Sequence, residues 1–194
     1  MMKLSRTTRL LTLLAVLAWS PFALADEAAL WSLLQGGGQV VLIRHALTTA
    51  GVGDPPGMTL ADCNTQRNLN EEGRAQARQL GVAWHARGVA VGRLLSSPWC
   101  RCVETARLAF GQTPELASAL GNLFDHPERV ARQLTELTPL VSQTPARGNT
   151  VLMSHGSTIQ ALTGISPATA EMVVLTPQGS GGFTVAGRLS ARSP

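Results

Sequence analysis

The sequence predicts one α/β domain, a three-layer α/β/α sandwich around a mostly parallel central sheet. Three observations lead there. Short apolar runs of strand length alternate with segments of helical periodicity, the order that parallel crossover connections produce. The runs at 39–44 (Q-V-V-L-I-R) and 150–154 (T-V-L-M-S) are nearly continuous in apolar character, as in strands covered on both faces. The chain has 194 residues, 44% hydrophobic and 14% charged, which suits one sizeable core and is too apolar for a disordered chain.

The N-terminus reads as an export signal. Lys3, Arg6 and Arg9 precede an apolar run from Leu10 to Trp19, and Ala23-Leu24-Ala25 supplies an A-x-A cleavage site. The division is therefore 1–25 as cleaved signal and 26–194 as one domain. The apolar run is short for a bilayer span, which needs roughly 20 residues, so no stable membrane insertion is expected once it is removed. Cleavage after Ala25 leaves 169 residues, with 13 basic residues of the original 16 and all 12 acids, a net charge of +1. That balance excludes strong non-specific binding to nucleic acid. Lys3 is the only lysine, so every basic side chain of the mature chain is an arginine, a residue suited to bidentate recognition of phosphate or carboxylate.

The elements follow in order. Residues 27–35 read as a short helix ended by Gly36-Gly37-Gly38, a turn rather than a phosphate loop because no G-K-[ST] follows. The strand at 39–44 comes next, then a loop holding Gly51, Gly53, Pro55, Pro56 and Gly57. Asn70 is placed to cap a helix whose first turn carries Glu71 and Glu72. Its apolar face is Gly73, Ala77, Leu80 and Trp84, and Gly88 stops it. Residues 91–96 form a second strand, and Pro98 can open the next helix, which runs from about Trp99 to Phe110. A turn-rich connection covers 111–122. Residues 127–141 are helical, with Val130, Leu134 and Leu137 on one face. The strand at 150–154 leads into a helix from Gly156, and strands at 172–175 and 183–188 flank a Gly-rich turn.

An exported chain meets an oxidising compartment. Cys63, Cys100 and Cys102 lack zinc-site spacing. One disulfide and one free thiol are expected, with Cys63–Cys100 preferred to Cys63–Cys102.

In open α/β sheets, ligands bind beyond the carboxyl ends of the strands. Those ends carry Arg44-His45, Ser96-Ser97 and Ser154-His155, and Arg101 lies one turn into the helix after Ser97-Pro98. Two arginines can grip phosphoryl oxygens, one histidine can attack phosphorus, and a second can hydrogen-bond the transferred group. Histidine serves as nucleophile because its neutral form exists near neutral pH. The amides at Gly156-Ser157 would favour an anion. Thr48 and Arg67 are candidates to extend the pocket. His85 and His126 read as exposed or satisfied residues. Met153-Ser154-His155-Gly156 is not the G-x-S-x-G elbow of a serine hydrolase.

At these residues a family resemblance emerges. Arg44-His45-Ala46 with Thr48 resembles the R-H-G-x-T signature of the histidine phosphatase superfamily, the phosphoglycerate mutase-like fold. Residues 67–77 (R-N-L-N-E-E-G-R-A-Q-A) are similar to its L-T-x-x-G-x-x-Q-A segment. Residues 96–106 (S-S-P-W-C-R-C-V-E-T-A) resemble S-S-P-x-x-R-x-x-E-T-A, and 151–156 resemble the second histidine motif. The short length and export signal look most like the small periplasmic branch, which includes lipopolysaccharide core heptose phosphate phosphatases.

The resemblance implies a metal- and cofactor-independent phosphatase of phosphate esters, with His45 as nucleophile and a phosphohistidine intermediate. Arg44, Arg101 and His155 would bind phosphate, with Thr48 beside them. Ala46 departs from the usual glycine. Asn122 stands nearest the position where relatives carry an acid, leaving Asp125 as the candidate general acid. The alternative is a non-catalytic phosphate- or glycan-binding protein of the same fold, which Asn122 favours and the pair His45 and His155 opposes.

Overall fold

A computed structural model describes residues 27–190. The expected signal at 1–25 lies outside them. The chain forms α1 (Glu27–Gly36), β1 (Val40–Arg44), α2 (Glu71–Ala86), β2 (Val91–Ser96), α3 (Cys100–Phe110), β3 (Glu115–Leu116), α4 (Val130–Ser142), β4 (Asn149–Ser154), α5 (Gly156–Thr163), β5 (Met172–Gly179) and β6 (Gly182–Leu189).

The six strands make one sheet in the order β3-β2-β4-β1-β5-β6. The first four are mutually parallel. β5 runs antiparallel to β1, and β6 to β5. The apolar run of β1 serves both faces by strict alternation. Val41 and Ile43 pack with Leu30 and Leu34 of α1, Leu80 and Trp84 of α2, and Cys102 and Ala106 of α3. Val40 and Leu42 pack with Leu137 and Val141 of α4 and Ile159 of α5. The result is the expected three-layer α/β/α arrangement.

Local details explain the element ends. The Asn70 side chain accepts from the Gly73 N–H at 2.7 Å and caps α2. Gly73 has no alternative residue there, since a Cβ would stand 1.8 Å from the Leu47 carbonyl oxygen. Asn149, fully buried, joins three elements: its Oδ1 accepts from the Gln39 N–H, and its amide donates to the Leu34 and Ala90 carbonyls.

Four boundaries differ from the sequence reading. α3 begins at Cys100, with Trp99 as its cap residue, so Pro98 precedes the helix instead of opening it. The 111–122 connection contains β3 and a 3-10 turn at Ser118–Leu120. The segment from Pro127 opens as a 3-10 turn before α4, whose buried face is Gln133, Leu137 and Val141, with Val130 and Leu134 half-buried. β5 and β6 extend past the apolar core as a hairpin whose backbone pairing continues beyond Leu175. Among the described residues, no helix is long and apolar enough to cross a membrane.

Candidate active site

Register brings the site together. β1 and β4 are paired in parallel, with Arg44 opposite Ser154, so Arg44-His45 and His155 leave the sheet side by side. The His45 N–H donates to the Ser154 carbonyl at 2.9 Å, and the two imidazole centroids are 5.3 Å apart. α3 presents Arg101 from the neighbouring edge. A cavity of about 610 Å³ opens over these residues, lined also by Gly51, Gly53, Arg67, Phe124, Ser157 and Arg188 among others.

His45 is held in one tautomer. Its Nδ1 lies 2.8 Å from the Ala46 carbonyl oxygen, which can only accept, so Nδ1 carries the proton and Nε2 keeps its lone pair. Burial pushes the His45 pKa down to about 3, against the Ala46 hydrogen bond and aided by the charges of Arg101, Arg44 and Arg67. The imidazole is therefore neutral at any ordinary pH. Ala46 packs its methyl group with Leu69, Ala77 and Ala170, and its φ is not in the left-handed region, so it occupies the usual glycine position without backbone strain.

His155 is fully enclosed. Its Nε2 lies 2.8 Å from Ser97 Oγ and 3.5 Å from the free thiol of Cys102. With the Ser97 hydroxyl as donor to Nε2, the proton lies on Nδ1, which has no partner in the protein. Burial, then the neighbouring His45 and the arginines, lower the His155 pKa well below its ordinary value. Burial also pushes the Cys102 thiol up to about 12, which leaves it inert as a nucleophile.

The arginines share a pattern. Arg44 donates Nη1 to the Pro167 carbonyl at 2.8 Å. Arg67 donates Nη1 to Thr48 Oγ1 at 2.7 Å and to the Gly51 carbonyl at 3.1 Å. Arg101 donates Nη1 to Asp54 at 2.6 Å. In all three, Nε is buried without a partner, and so is Nδ1 of His155. An unsatisfied buried donor costs about 1–3 kcal/mol. Three such guanidinium nitrogens and His155 Nδ1 belong to residues that line the cavity with His45, a set chemically suited to the acceptor oxygens of an anion. Gly156 makes room for this set, since a Cβ there would stand 3.3 Å from Arg44 Nε. Arg188, at the rim, is occupied by Glu171 through two hydrogen bonds at 2.8 and 2.7 Å.

Other candidates lie elsewhere. Thr48 is buried behind Arg67 and does not line the cavity; its hydroxyl anchors that guanidinium. Asp125, the candidate general acid, is exposed at a left-handed φ of 58° and is absent from the cavity wall. Burial of Leu123 and the His126 N–H bond back to the Leu123 carbonyl turn Asp125 outward. Asn122 lines the cavity, its Oδ1 accepting from the Ser157 hydroxyl at 2.9 Å. His85 is exposed and neither it nor His126 lines the cavity. Cys63 and Cys100 form a disulfide, and Cys102 is free and buried. Among the described residues, no cluster of three metal-ligating side chains occurs.

Two residues escaped the sequence reading. Asp54 sits in a Gly- and Pro-rich loop and meets Arg101, 47 residues away; no spacing signals that. Arg188 reaches the cavity only because β6 is an edge strand beside β5.

Comparison with known proteins places this geometry. Residues 40–123 match the family model of the histidine phosphatase superfamily, branch 1. No curated protein sequence matches the chain. Among solved structures, the protein histidine phosphatase SixA complexed with tungstate is 18% identical with a TM-score of 0.56, covering 79% of this chain and 97% of its own. A phosphoserine phosphatase mutant from Entamoeba histolytica, in complex with phosphoserine, is 14% identical with a TM-score of 0.55, covering 79% and 98%. A mycobacterial glucosyl-3-phosphoglycerate phosphatase complexed with VO3 is 19% identical with a TM-score of 0.55, covering 77% and 97%. These likenesses are of fold.

Proposed function

We propose that this chain, whose residues 40–123 match the family model of the histidine phosphatase superfamily, is an exported phosphomonoesterase of that superfamily working through a phosphohistidine on His45. The observation that carries this reading is the set of four unpartnered buried nitrogens around a histidine whose Nε2 lone pair is free. Arg44, Arg67, Arg101 and His155 bind the phosphoryl oxygens and spread their charge. His45 Nε2 forms a bond to phosphorus as the ester P–O bond breaks and its electrons leave with the alcohol oxygen. Water then attacks the phosphohistidine, the P–N bond breaks, and inorganic phosphate departs with His45 restored.

Among the described residues, no carboxylic acid lines the cavity to protonate a departing alkoxide. This favours substrates whose leaving group departs without that help: activated esters, or the phosphoramidate of a phosphohistidine, the substrate class named for SixA. Asn122, Ser157 and Gln160 beside Phe124 suit a ring bearing hydroxyls. That supports phosphorylated sugars of the cell envelope as a further substrate class. The Cys63–Cys100 disulfide and the N-terminal signal pattern support export.

The test is phosphate release from an activated aryl phosphate by the mature chain in a chelator, with His45→Ala beside it. Chelator-resistant turnover, reduced at least about 10⁴-fold in His45→Ala, is expected. Phosphate binding without turnover would favour the non-catalytic binding protein, to which Asn122 points.

A further inference from the structure

Asp54 lies in the loop between β1 and α2, and its carboxylate is 10% exposed against a fully buried Arg101. It accepts four hydrogen bonds. Arg101 gives Nη1 to Oδ1 at 2.6 Å and Nη2 to Oδ2 at 3.0 Å. Trp99 Nε1 gives one to Oδ2 at 3.1 Å, and the Arg67 backbone N–H one to Oδ1 at 3.2 Å. Burial alone would raise the Asp54 pKa, but the Arg101 hydrogen bonds and charge, with those of Arg67 and Trp99, hold it below the ordinary carboxylate value.

A carboxylate on a phosphate-binding arginine has two geometries open to it. It can fill the place of the phosphate, or it can grip the guanidinium from behind. A guanidinium has two forks of donors, the Nη1–Nη2 end and the Nε–Nη2 side. Asp54 takes the end. The second Nη1 hydrogen goes to the Arg67 carbonyl at 3.3 Å. Nε and one Nη2 hydrogen remain, and Nε is buried without a partner. Arg44 and Arg67 likewise keep Nε unpartnered while Nη1 is anchored, but their anchors are neutral oxygens. Arg101 lines the cavity and Asp54 does not.

We propose that Asp54 is a positioning residue that clamps the end of the Arg101 guanidinium and thereby turns its Nε–Nη2 fork to the transferring phosphoryl group. The proposal rests on the phosphatase reading of the same site. It also joins two parts of the cavity, because Gly51 and Gly53 of the Asp54 loop form its outer wall.

The experiment measures inorganic phosphate affinity by calorimetry, and kcat/KM on an activated aryl phosphate. The proteins are the mature wild type, Asp54→Asn, Arg101→Gln and the double variant. Asp54→Asn is expected to weaken phosphate binding at least about tenfold, raising KM and lowering kcat, because an amide cannot hold both guanidinium donors. In the Arg101→Gln background the same change is expected to matter less than about twofold. A merely structural role would multiply the two losses. Unchanged or tighter phosphate binding in Asp54→Asn, or multiplicative losses, overturns the proposal and leaves the phosphatase reading intact. A wild type that binds no phosphate overturns both. If Asp54→Asn does not fold, Trp99→Phe removes one donor to Asp54 and keeps the ion pair. Its expected loss of phosphate affinity is about two- to fivefold with Arg101 present and none without it; no loss in either background overturns the proposal.

Discussion

The floor of the cavity and its outer wall are built by different means. His45 and His155 leave the ends of two strands that bond to each other, and Arg101 leaves the first turn of a helix packed on those strands. The wall is loop: Gly51, Val52 and Gly53 on one side, Asn122 and Phe124 on the other. Val52 is 85% exposed and Phe124 41%. The floor is fixed by sheet register and buried hydrogen bonds, whereas the wall is held mainly through side chains: Arg67 on the Gly51 carbonyl, the Asp54–Arg101 ion pair and Ser157 on Asn122, with the Cys63–Cys100 disulfide further along the first loop. On the proposed function, groups that must meet phosphorus with small positional error sit on the regular elements. Groups that meet the rest of the substrate sit where the chain can vary.

Substitutions of matched chemistry can break this contrast. Arg44→Gln on the floor is expected to lower kcat/KM by about 10²–10³-fold, the loss of charge-assisted bonds to the transferring group. Arg188→Gln at the rim, already neutralised by Glu171, is expected to change it less than about threefold. Steady-state kinetics on one aryl phosphate compares them, and equal losses would dissolve the distinction.

Removing the disulfide sharpens it. Cys63→Ser with Cys100→Ser opens a loop closed over a sequence separation of 37. A loss of about 2–4 kcal/mol in denaturant unfolding is expected. KM should rise more than kcat falls, since the wall loosens and the strands do not.

Acid titration probes the floor through His45, read as the difference from His45→Gln. The His45 pKa is about 3 in the folded chain against about 6.5 unfolded. Between those values the unfolded chain binds the extra proton, so stability rises with pH across pH 3–6.5 and is lost as pH falls through that window. Denaturant unfolding at stepped pH checks this, with His45→Gln expected to flatten the slope.

Phe124→Ala gives the smallest effect. It is expected to raise KM about fivefold for esters with a ring beyond the phosphate and to leave inorganic phosphate inhibition unchanged.

What the sequence discloses follows the same division. Arg44, His45 and His155 were legible because each ends a strand-length apolar run, and a run buried on both faces is readable without its neighbours. Arg101 followed from helix spacing after Ser97-Pro98. Asp54 was not legible, because a lone acid among glycines and prolines carries no period and its partner is set by tertiary approach. Arg67 and Thr48 were both seen as candidates, but which one faces the ligand depends on a single hydrogen bond between them. β3 is two residues long and too short for any alternation to register.

The anchoring of the arginines has a consequence for how substrate arrives. Arg44, Arg67 and Arg101 bring three positive charges to the cavity, Asp54 returns one negative charge, and both histidines are neutral. The pocket therefore stays electropositive although residues 26–194 as a whole carry a formal net charge of only +1. Its field reaches roughly one Debye length, about 8 Å at physiological ionic strength. On the proposed function, capture of a phosphate dianion is thus a steered encounter, faster in dilute buffer and slowed by added salt.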